Sequence, residues 1–239
     1  MVLVHGSLCD HSRFDDLVAE LRDGVTTFAM DRRGFGDSGD AGAYAIEREF
    51  EDVAAVVDAV AACSGRRVAL WGHSYGANCA MGGAALTGDV GHLVLYEPSL
   101  GLVYPPGSVE AVEEALAAGD NEAAIRLVFV GILEMTEEQV GAMRRRPLWP
   151  VRVATAPTVP RECRAEEGWV YRPGQFDGVR APTLVLTGSE TAAAVKETTR
   201  RAVGALPDVR VRVLEGHGHM AHQTDPGMVA SIIREFIAS

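Results

Sequence analysis

One pentapeptide constrains the fold and chemistry of this chain more than any other feature: Gly72-His73-Ser74-Tyr75-Gly76. It follows a short apolar run at 68–71 and leads into 77–81, which can form a helix. A strand, a sharp turn and a helix in this order predict a strained central serine flanked by glycines. The turn would hold the Ser74 hydroxyl at a helix N-terminus, where negative charge is favoured. The pattern indicates a nucleophilic serine; the alternative is a glycine-rich turn with an incidental serine.

Most of the chain alternates short apolar runs with helical patterns. This alternation predicts a mostly parallel sheet with helices on both of its faces, an α/β fold. The predicted strands are rich in Val, Leu and Ala, as strands buried on both sides are. They cover 1–4, 26–30, 67–71, 93–96, 183–187 and 210–214. The predicted helices between them cover 13–21, 46–62, 76–86, 193–205 and 226–238.

Residues 100–178 interrupt the alternation because they contain no good strand. Thr136 and Gln139 form a capping box that marks one helix start in this segment. The segment follows the C-terminal end of a strand, where open α/β sheets bind ligands. We therefore predict a helical cap over a core made of 1–99 and 179–239; extra core helices are the alternative. The predicted cap helices cover 108–118, 120–135 and 136–146.

A nucleophilic serine needs a base that takes its proton. The candidates are three histidines that follow the last predicted strand: His217, His219 and His222. His219 follows a Gly-x-Gly and lies in a loop that can bring its imidazole over the C-terminal edge of the sheet. We therefore prefer His219, then His217, then His222.

The base in turn needs a carboxylate that orients it. Glu190 lies on the loop after the strand at 183–187, and the chain order Ser74, Glu190, His219 is the one expected for this kind of turn. Glu97, at the end of the strand at 93–96, would also lie at the C-terminal edge. We prefer Glu190 and keep Glu97 as the alternative.

The developing negative charge needs two N–H donors. One is expected from Tyr75, directly after the nucleophile. The other is expected from the loop after the first strand, where Gly6 allows close approach of the backbone. We predict the N–H of Ser7, with that of Leu8 as the second choice.

Two other patterns carry less weight. The spacing of His217, His219 and His222 is similar to a zinc box, but Ala221 stands where that box needs an acidic residue, so no metal is expected. Segment 31–39 holds a Gly-x-Gly without the third glycine of a dinucleotide site, so no organic cofactor is expected.

Composition limits the partners. The formal charge of −11 argues against nucleic acid and against an anionic membrane. No apolar run approaches the roughly 20 residues of a membrane span, and the N-terminus does not have the form of a signal peptide. The four cysteines are scattered, which favours reduced thiols in a cytoplasmic protein.

Taken together, these residues resemble the α/β-hydrolase superfamily, in its branch of single-domain esterases, lactonases and C–C hydrolases with a helical cap. The resemblance spans nearly the whole chain. His5-Gly6 resembles the family's oxyanion motif, and residues 31–38 resemble its Asp-x-Arg-Gly-x-Gly-x-Ser loop. Residues 72–76 match its nucleophile elbow. Residues 182–188 resemble the strand before its acid, and Gly218-His219 resembles its histidine loop.

The resemblance implies an α/β-hydrolase fold whose cap is inserted after the sixth strand of the family's sheet. Two departures matter. The chain begins inside the family's His-Gly strand, so we expect the usual N-terminal hairpin to be missing. The family's acid is usually an aspartate three residues after the loop glycine; here that position is Thr191, one residue after Glu190.

The implied activity is hydrolysis of a small, largely apolar carboxylic ester or lactone through an acyl-enzyme on Ser74. Alternatives on the same fold are C–C bond hydrolysis, perhydrolysis, a non-hydrolytic biosynthetic step or slow-turnover ligand binding. Three cap side chains are candidates for lining the acyl pocket: Phe129, Leu133 and Trp149. The oligomeric state does not follow from the sequence.

Overall fold

A sheet of parallel strands forms the centre of the computed structural model, which describes residues 1–40 and 42–239. Six strands of the described chain are hydrogen-bonded in the order β2-β1-β3-β4-β5-β6. All of these pairings are parallel. The strands are β1 Val2–Val4, β2 Phe28–Met30, β3 Val68–His73, β4 Val90–Tyr96, β5 Thr183–Gly188 and β6 Val209–Leu214. The predicted α/β-hydrolase fold is confirmed, and each predicted strand overlaps an observed one.

Helices cover both faces of the sheet. Before residue 100 the helices are α1 Asp15–Leu21, α2 Ile46–Ser64 and α3 Tyr75–Leu86, and a 3-10 turn precedes α1. Helices α4 to α8 lie within residues 100–178. After β5 the helices are α9 Ala193–Ala205, α10 Ala221–Thr224 and α11 Pro226–Ile237. Helices α2, α3 and α9 contribute to the apolar cluster on one face. Helices α1 and α11 contribute to the cluster on the other.

The alternation of side chains along each strand supplies both clusters. In β1, Val2 and Val4 belong to the cluster with α2 and α3, whereas Leu3 belongs to the cluster with α1 and α11. In β3, Leu70 and Trp71 divide in the same way. Successive residues of a strand point to opposite faces, so the inner strands of a parallel sheet with helices on both sides need apolar residues at successive positions, unlike the edge strand β6, where Val alternates with exposed Arg. This requirement explains the unbroken apolar runs of the sequence.

Residues 100–178, here called the cap segment, connect β4 to β5. Their helices are α4 Ser108–Ala117, α5 Asn121–Arg126, α6 Glu137–Arg144, α7 Trp149–Thr155 and α8 Val159–Gly168. Helix α5 runs directly into a π-helical turn, Leu127–Ile132. A third apolar cluster joins these helices to Leu8, a core residue that follows β1. The cap segment thus packs over the loop that leaves β1.

The capping box predicted for the cap segment is present: Thr136 Oγ1 accepts from the Gln139 N–H at 3.2 Å, and Gln139 Oε1 accepts from the Thr136 N–H at 2.8 Å. Helices α7 and α8 were not among the predicted elements. Across 1–40 and 42–239, no helix has the length and apolar character that a membrane crossing requires.

Candidate active site

Ser74 lies between the end of β3 and the first residue of α3. Its φ of 57° and ψ of −129° place a non-glycine residue in a region that costs on the order of 1–3 kcal/mol. Two backbone hydrogen bonds hold it there: Ser74 N–H donates to the Tyr96 carbonyl at 2.9 Å, and Ala77 N–H donates to the Ser74 carbonyl at 2.8 Å. The strained turn of the predicted elbow is therefore present at Ser74.

The two glycines of the pentapeptide are required by close approach of neighbouring backbone. A Cβ on Gly76 would overlap the carbonyl of His5 in the loop after β1. A Cβ on Gly72 would lie 2.6 Å from the Cα of Ala77 in α3. Glycine at both positions lets the elbow pack closely against the loop after β1 and against the first turn of α3.

The imidazole of His219 contacts a buried carboxylate. His219 Nδ1 lies 2.5 Å from Glu97 Oε2, and the carboxylate side chain has no exposed surface. Glu97 directly follows β4, and His219 lies in the loop between β6 and α10. Because Nδ1 donates to the carboxylate, the neutral ring has its lone pair on Nε2, as a base requires. Ser74 and His219 line the same cavity.

Glu97 is held as an ionised acceptor. Its Oε1 accepts from the Gly188 N–H at 2.7 Å and from the Thr191 hydroxyl at 2.5 Å. Burial alone would raise the pKa of Glu97, but the hydrogen bonds from His219, Thr191 and Gly188 outweigh it and lower that pKa. The residue also has a positive φ of 47°, a strained backbone in a chain position that is fully buried.

The structure contradicts the preference for Glu190. Its side chain is exposed, and its backbone N–H donates to the His217 carbonyl at 2.9 Å. Thr191, which stands at the family's usual acid position, donates to Glu97 instead. Glu97, the alternative acid, therefore occupies the place beside His219 that the sequence prediction gave to Glu190.

The loop that carries His219 is fixed by two aromatic side chains. The Tyr96 hydroxyl donates to the Gly218 carbonyl and accepts from the Ala221 N–H at 3.1 Å. His73, the residue before the nucleophile, donates from Nε2 to the His219 carbonyl at 2.9 Å. The backbone on both sides of His219 is thus tied to β3 and β4.

The other two candidate histidines have different surroundings. His222 is fully buried, and its Nε2 accepts from Arg13 Nε at 3.1 Å. His217 is partly exposed, with Nε2 3.9 Å from Asp225 Oδ2, beyond hydrogen-bond distance. Among the described residues, no group of three His, Cys, Asp or Glu side chains is arranged to hold a metal ion.

Buried His222 makes stability depend on pH. Burial, and then the charge of Arg13, lowers the pKa of His222 well below 6.5. Below about pH 6.5 the imidazole of His222 is therefore protonated in the unfolded chain but stays neutral in the folded chain. The free energy of unfolding falls as pH drops through that range. His11 acts oppositely, because its hydrogen bond to Asp31 raises the pKa of His11. The stabilisation of the fold by protonated His11 is complete at low pH and is lost as pH rises through the raised pKa of His11.

We expect His222→Gln to weaken the acid destabilisation by up to about 1.4 kcal/mol for each pH unit below about 6.5. The matched variant His11→Gln should instead steepen it. Urea unfolding followed by circular dichroism at pH 7.5 and 5.5 measures both. An identical pH dependence for wild type and His222→Gln would contradict the assignment of a neutral, buried His222.

The predicted oxyanion donors surround the nucleophile. A Cβ on Gly6 would lie 3.0 Å from the Ser74 Cβ, so the loop after β1 passes directly beside Ser74. Ser7, Leu8 and Tyr75 all line the cavity that contains Ser74. Tyr75 is the first residue of α3, where backbone N–H groups have no acceptor within the helix. These positions are compatible with an oxyanion hole, for which the N–H groups of Tyr75 and Ser7 stay the predicted donors.

The cavity at Ser74 is small, about 60 Å³. One buried water needs roughly 10–15 Å³ on this measure, so the cavity favours a short acyl chain over a long one. Of the three predicted pocket residues, Phe129 and Leu133 line it, whereas Trp149 donates from its indole to Glu122 at 3.2 Å and lies elsewhere. A larger groove of about 490 Å³ shares Leu133, His219 and Met220 with the cavity and adjoins it.

Three charged residues of this cavity were not predicted from the sequence. Arg13, Arg152 and Glu166 all line it. Burial raises the pKa of Glu166 to about 7, against hydrogen bonds from Tyr104, Ser99 and Asn78 that lower it. Arg152 lies among apolar residues of α7, and a cation in an apolar stretch was the only local sequence feature that could have indicated a charged residue in the cavity.

The model of the alpha/beta hydrolase family matches residues 1–232. The chain belongs to the alpha/beta hydrolase family. Among solved structures, this alpha/beta hydrolase is similar to an alpha/beta hydrolase from Sphaerobacter thermophilus DSM 20745, with 30% identity, a TM-score of 0.83 and coverage of 98% of this chain and 91% of that one.

Two further structures are similar to this alpha/beta hydrolase. An esterase from Rhodococcus sp. ECU1013 has 26% identity and a TM-score of 0.74, covering all of this chain and 90% of that one. The enol-lactonase from Burkholderia xenovorans LB400 has 21% identity and a TM-score of 0.80, again with 100% and 90% coverage. No curated protein sequence matches the chain at a significant level.

Proposed function

We propose that this alpha/beta hydrolase cleaves a small carboxylic ester or lactone through an acyl-enzyme on Ser74. One observation carries the proposal: a serine with φ 57° and a histidine held 2.5 Å from a buried carboxylate line the same cavity. Strain at the serine, a buried acid and a restrained imidazole each have a cost for folding, and catalysis by a triad explains all three together.

Each residue has a role that follows from its contacts. Ser74 Oγ attacks the carbonyl while His219 Nε2 takes its proton and later gives it to the leaving group. Glu97 fixes the tautomer of His219 through Nδ1 and stabilises the imidazolium that forms. The N–H groups of Tyr75 and Ser7 receive the developing negative charge. Water then attacks the acyl-enzyme, with His219 as the base again.

The comparisons favour ester hydrolysis over the other reactions of the fold. A similar structure at 26% identity is an esterase. The enol-lactonase, at 21% identity, supports only the fold. The cavity of about 60 Å³ supports a short acyl chain. No step in this proposal needs a metal or an organic cofactor.

A panel of 4-nitrophenyl esters with two to eight acyl carbons, together with small lactones, tests the proposal. We expect measurable turnover that is greatest for short acyl chains, because the cavity at Ser74 is small. Release of nitrophenol and pH-stat titration of lactone opening are the measurements. Failure of the folded protein to hydrolyse any ester or lactone of the panel would contradict the proposed reaction.

A further inference from the structure

Two buried arginines line the cavity at Ser74 without an acidic partner. Arg13 is 4% exposed and Arg152 is 2% exposed. Within 1–40 and 42–239, neither guanidinium lies within 4.0 Å of an Asp or Glu oxygen. A buried cation without a counter-charge is expensive, and charged residues in protein interiors are normally paired.

Neutral groups provide the polar contacts of both arginines. Arg152 Nη1 donates to the Leu8 carbonyl at 3.3 Å, and its guanidinium lies 5.3 Å from the centre of the Phe129 ring. Arg13 donates from Nε to His222, and its Nη1 lies 2.8 Å from the Cys9 sulfur. These contacts orient the two cations but do not neutralise them.

A third buried arginine shows how this chain pairs a cation that has a structural role. Arg32 is fully buried and forms ion pairs with Glu49 and Glu162. The guanidinium of Arg32 also lies over the rings of Phe35 and Tyr75. Arg32 therefore has its carboxylates within the protein, whereas Arg13 and Arg152 face a cavity.

No carboxylate among the described residues compensates the charge of Arg152, and its pKa reflects this. Burial, and then the like charge of Arg13, lowers the pKa of Arg152 to about 9. The side chain remains protonated at neutral pH, since about 9 is still well above 7. An anion bound in the cavity would remove this electrostatic penalty.

We propose that the substrate carries a carboxylate, which Arg152 binds within the positive field of Arg13 while the scissile carbonyl meets Ser74. The proposal rests on the proposed function and replaces the expected largely apolar substrate with an anionic one. The planar guanidinium fork matches the two oxygens of a carboxylate. A monoanion fits better than a phosphate dianion, because Glu166 also lines the cavity.

The geometry also limits the length of the substrate. Arg152 is anchored on the carbonyl of Leu8, the residue after Ser7, whose N–H we assign to the oxyanion hole. Arg152, Leu8 and Ser74 all line the same cavity of about 60 Å³, so the carboxylate and the scissile carbonyl bind close together. A monoester of a short dicarboxylic acid, or the lactone of a short hydroxydicarboxylic acid, meets both conditions.

Two esters of equal length test the charge preference: 4-nitrophenyl hydrogen glutarate and 4-nitrophenyl pentanoate. We expect wild type to favour the anionic ester in kcat/KM, and Arg152→Met to lower the ratio of anionic to neutral ester at least tenfold, mainly through KM. Arg145→Met removes an exposed charge from the same cap segment and should leave the ratio unchanged. An equal ratio in wild type and folded Arg152→Met would overturn the proposal.

Binding without turnover separates this inference from the proposed function. We expect calorimetry on the Ser74→Ala protein, which retains Arg152, to show that glutaramate binds at least tenfold more tightly than its neutral isostere glutaramide. Equal affinity of the two compounds would overturn the carboxylate site even where esters are hydrolysed. This comparison also holds if Arg152→Met fails to fold, because it uses a protein with both arginines present. Loss of ester turnover with preserved glutaramate binding would instead refute only the reaction.

Discussion

Glu97→Gln is expected to lower kcat by up to roughly 10⁴-fold, while Glu190→Gln retains most of the wild-type rate. The amide of a glutamine at 97 cannot supply the negative charge that stabilises protonated His219, and it no longer selects the tautomer with Nε2 free. Glu190 is exposed and makes no comparable contact. Steady-state kinetics on the best ester of the panel, with circular dichroism of both variants, measures the difference.

The pair of variants is matched because both replace a carboxylate by an amide of the same size. Glu97 also accepts from Thr191 and Gly188, so the thermal midpoint of Glu97→Gln is a necessary control. A folded Glu97→Gln protein with near wild-type kcat would contradict the role of Glu97. A loss confined to Glu190→Gln would return the acid to the loop after β5.

Ser74→Ala is expected to lower kcat by on the order of 10³-fold or more. Without the hydroxyl no acyl-enzyme forms, and only transition-state binding by the remaining groups accelerates attack by water. The backbone of the elbow should persist, because its hydrogen bonds to Tyr96 and Ala77 use main-chain atoms. The rate of nitrophenol release, corrected for spontaneous hydrolysis, is the measurement.

Removal of a remote serine provides the matched control. Ser64→Ala deletes a hydroxyl at the end of α2 and should leave kcat unchanged. Both variants are expressed and purified identically, and labelling of the Ser74→Ala preparation with a fluorophosphonate reveals any contaminating serine esterase that sets a floor under its rate. A folded Ser74→Ala protein as active as Ser64→Ala would contradict covalent catalysis by Ser74.

The elbow could be predicted because its determinants are local. An apolar strand, a Gly-x-Ser-x-Gly turn and a helix occupy consecutive residues, and the positive φ of Ser74 follows from that order. The parallel sheet could be predicted for the same reason, because the alternation of strands and helices is also a local pattern. Both conclusions depend on periodicity and turn chemistry within short windows of sequence.

The acid could not be predicted with the same security, because two candidate carboxylates lie at the same edge of the sheet. Which of them reaches His219 depends on strand neighbours: β4 lies between β3 and β5, so Glu97 lies next to the nucleophile strand. Thr191 at the usual acid position was a local sign, since a hydroxyl there can support a neighbouring carboxylate but cannot replace one. The structure shows that support as the bond to Glu97.

Helices α7 and α8 were missed because proline usually ends a helix. Pro150 and Pro160 instead occupy the first turns of these helices, where the absent N–H has no partner to lose. The cavity arginines were missed for a different reason. Arg13 precedes α1 and Arg152 lies in α7, and only the packing of the cap segment on the core brings both to Ser74.

Peptide mapping after reaction with a fluorophosphonate tests the central claim, a nucleophilic Ser74 activated by His219 and Glu97, most directly. The account predicts a single adduct, on Ser74, formed much more slowly in Glu97→Gln and at an unchanged rate in Glu190→Gln. An adduct on a different residue, no adduct on folded protein, or labelling at the wild-type rate in Glu97→Gln would contradict it.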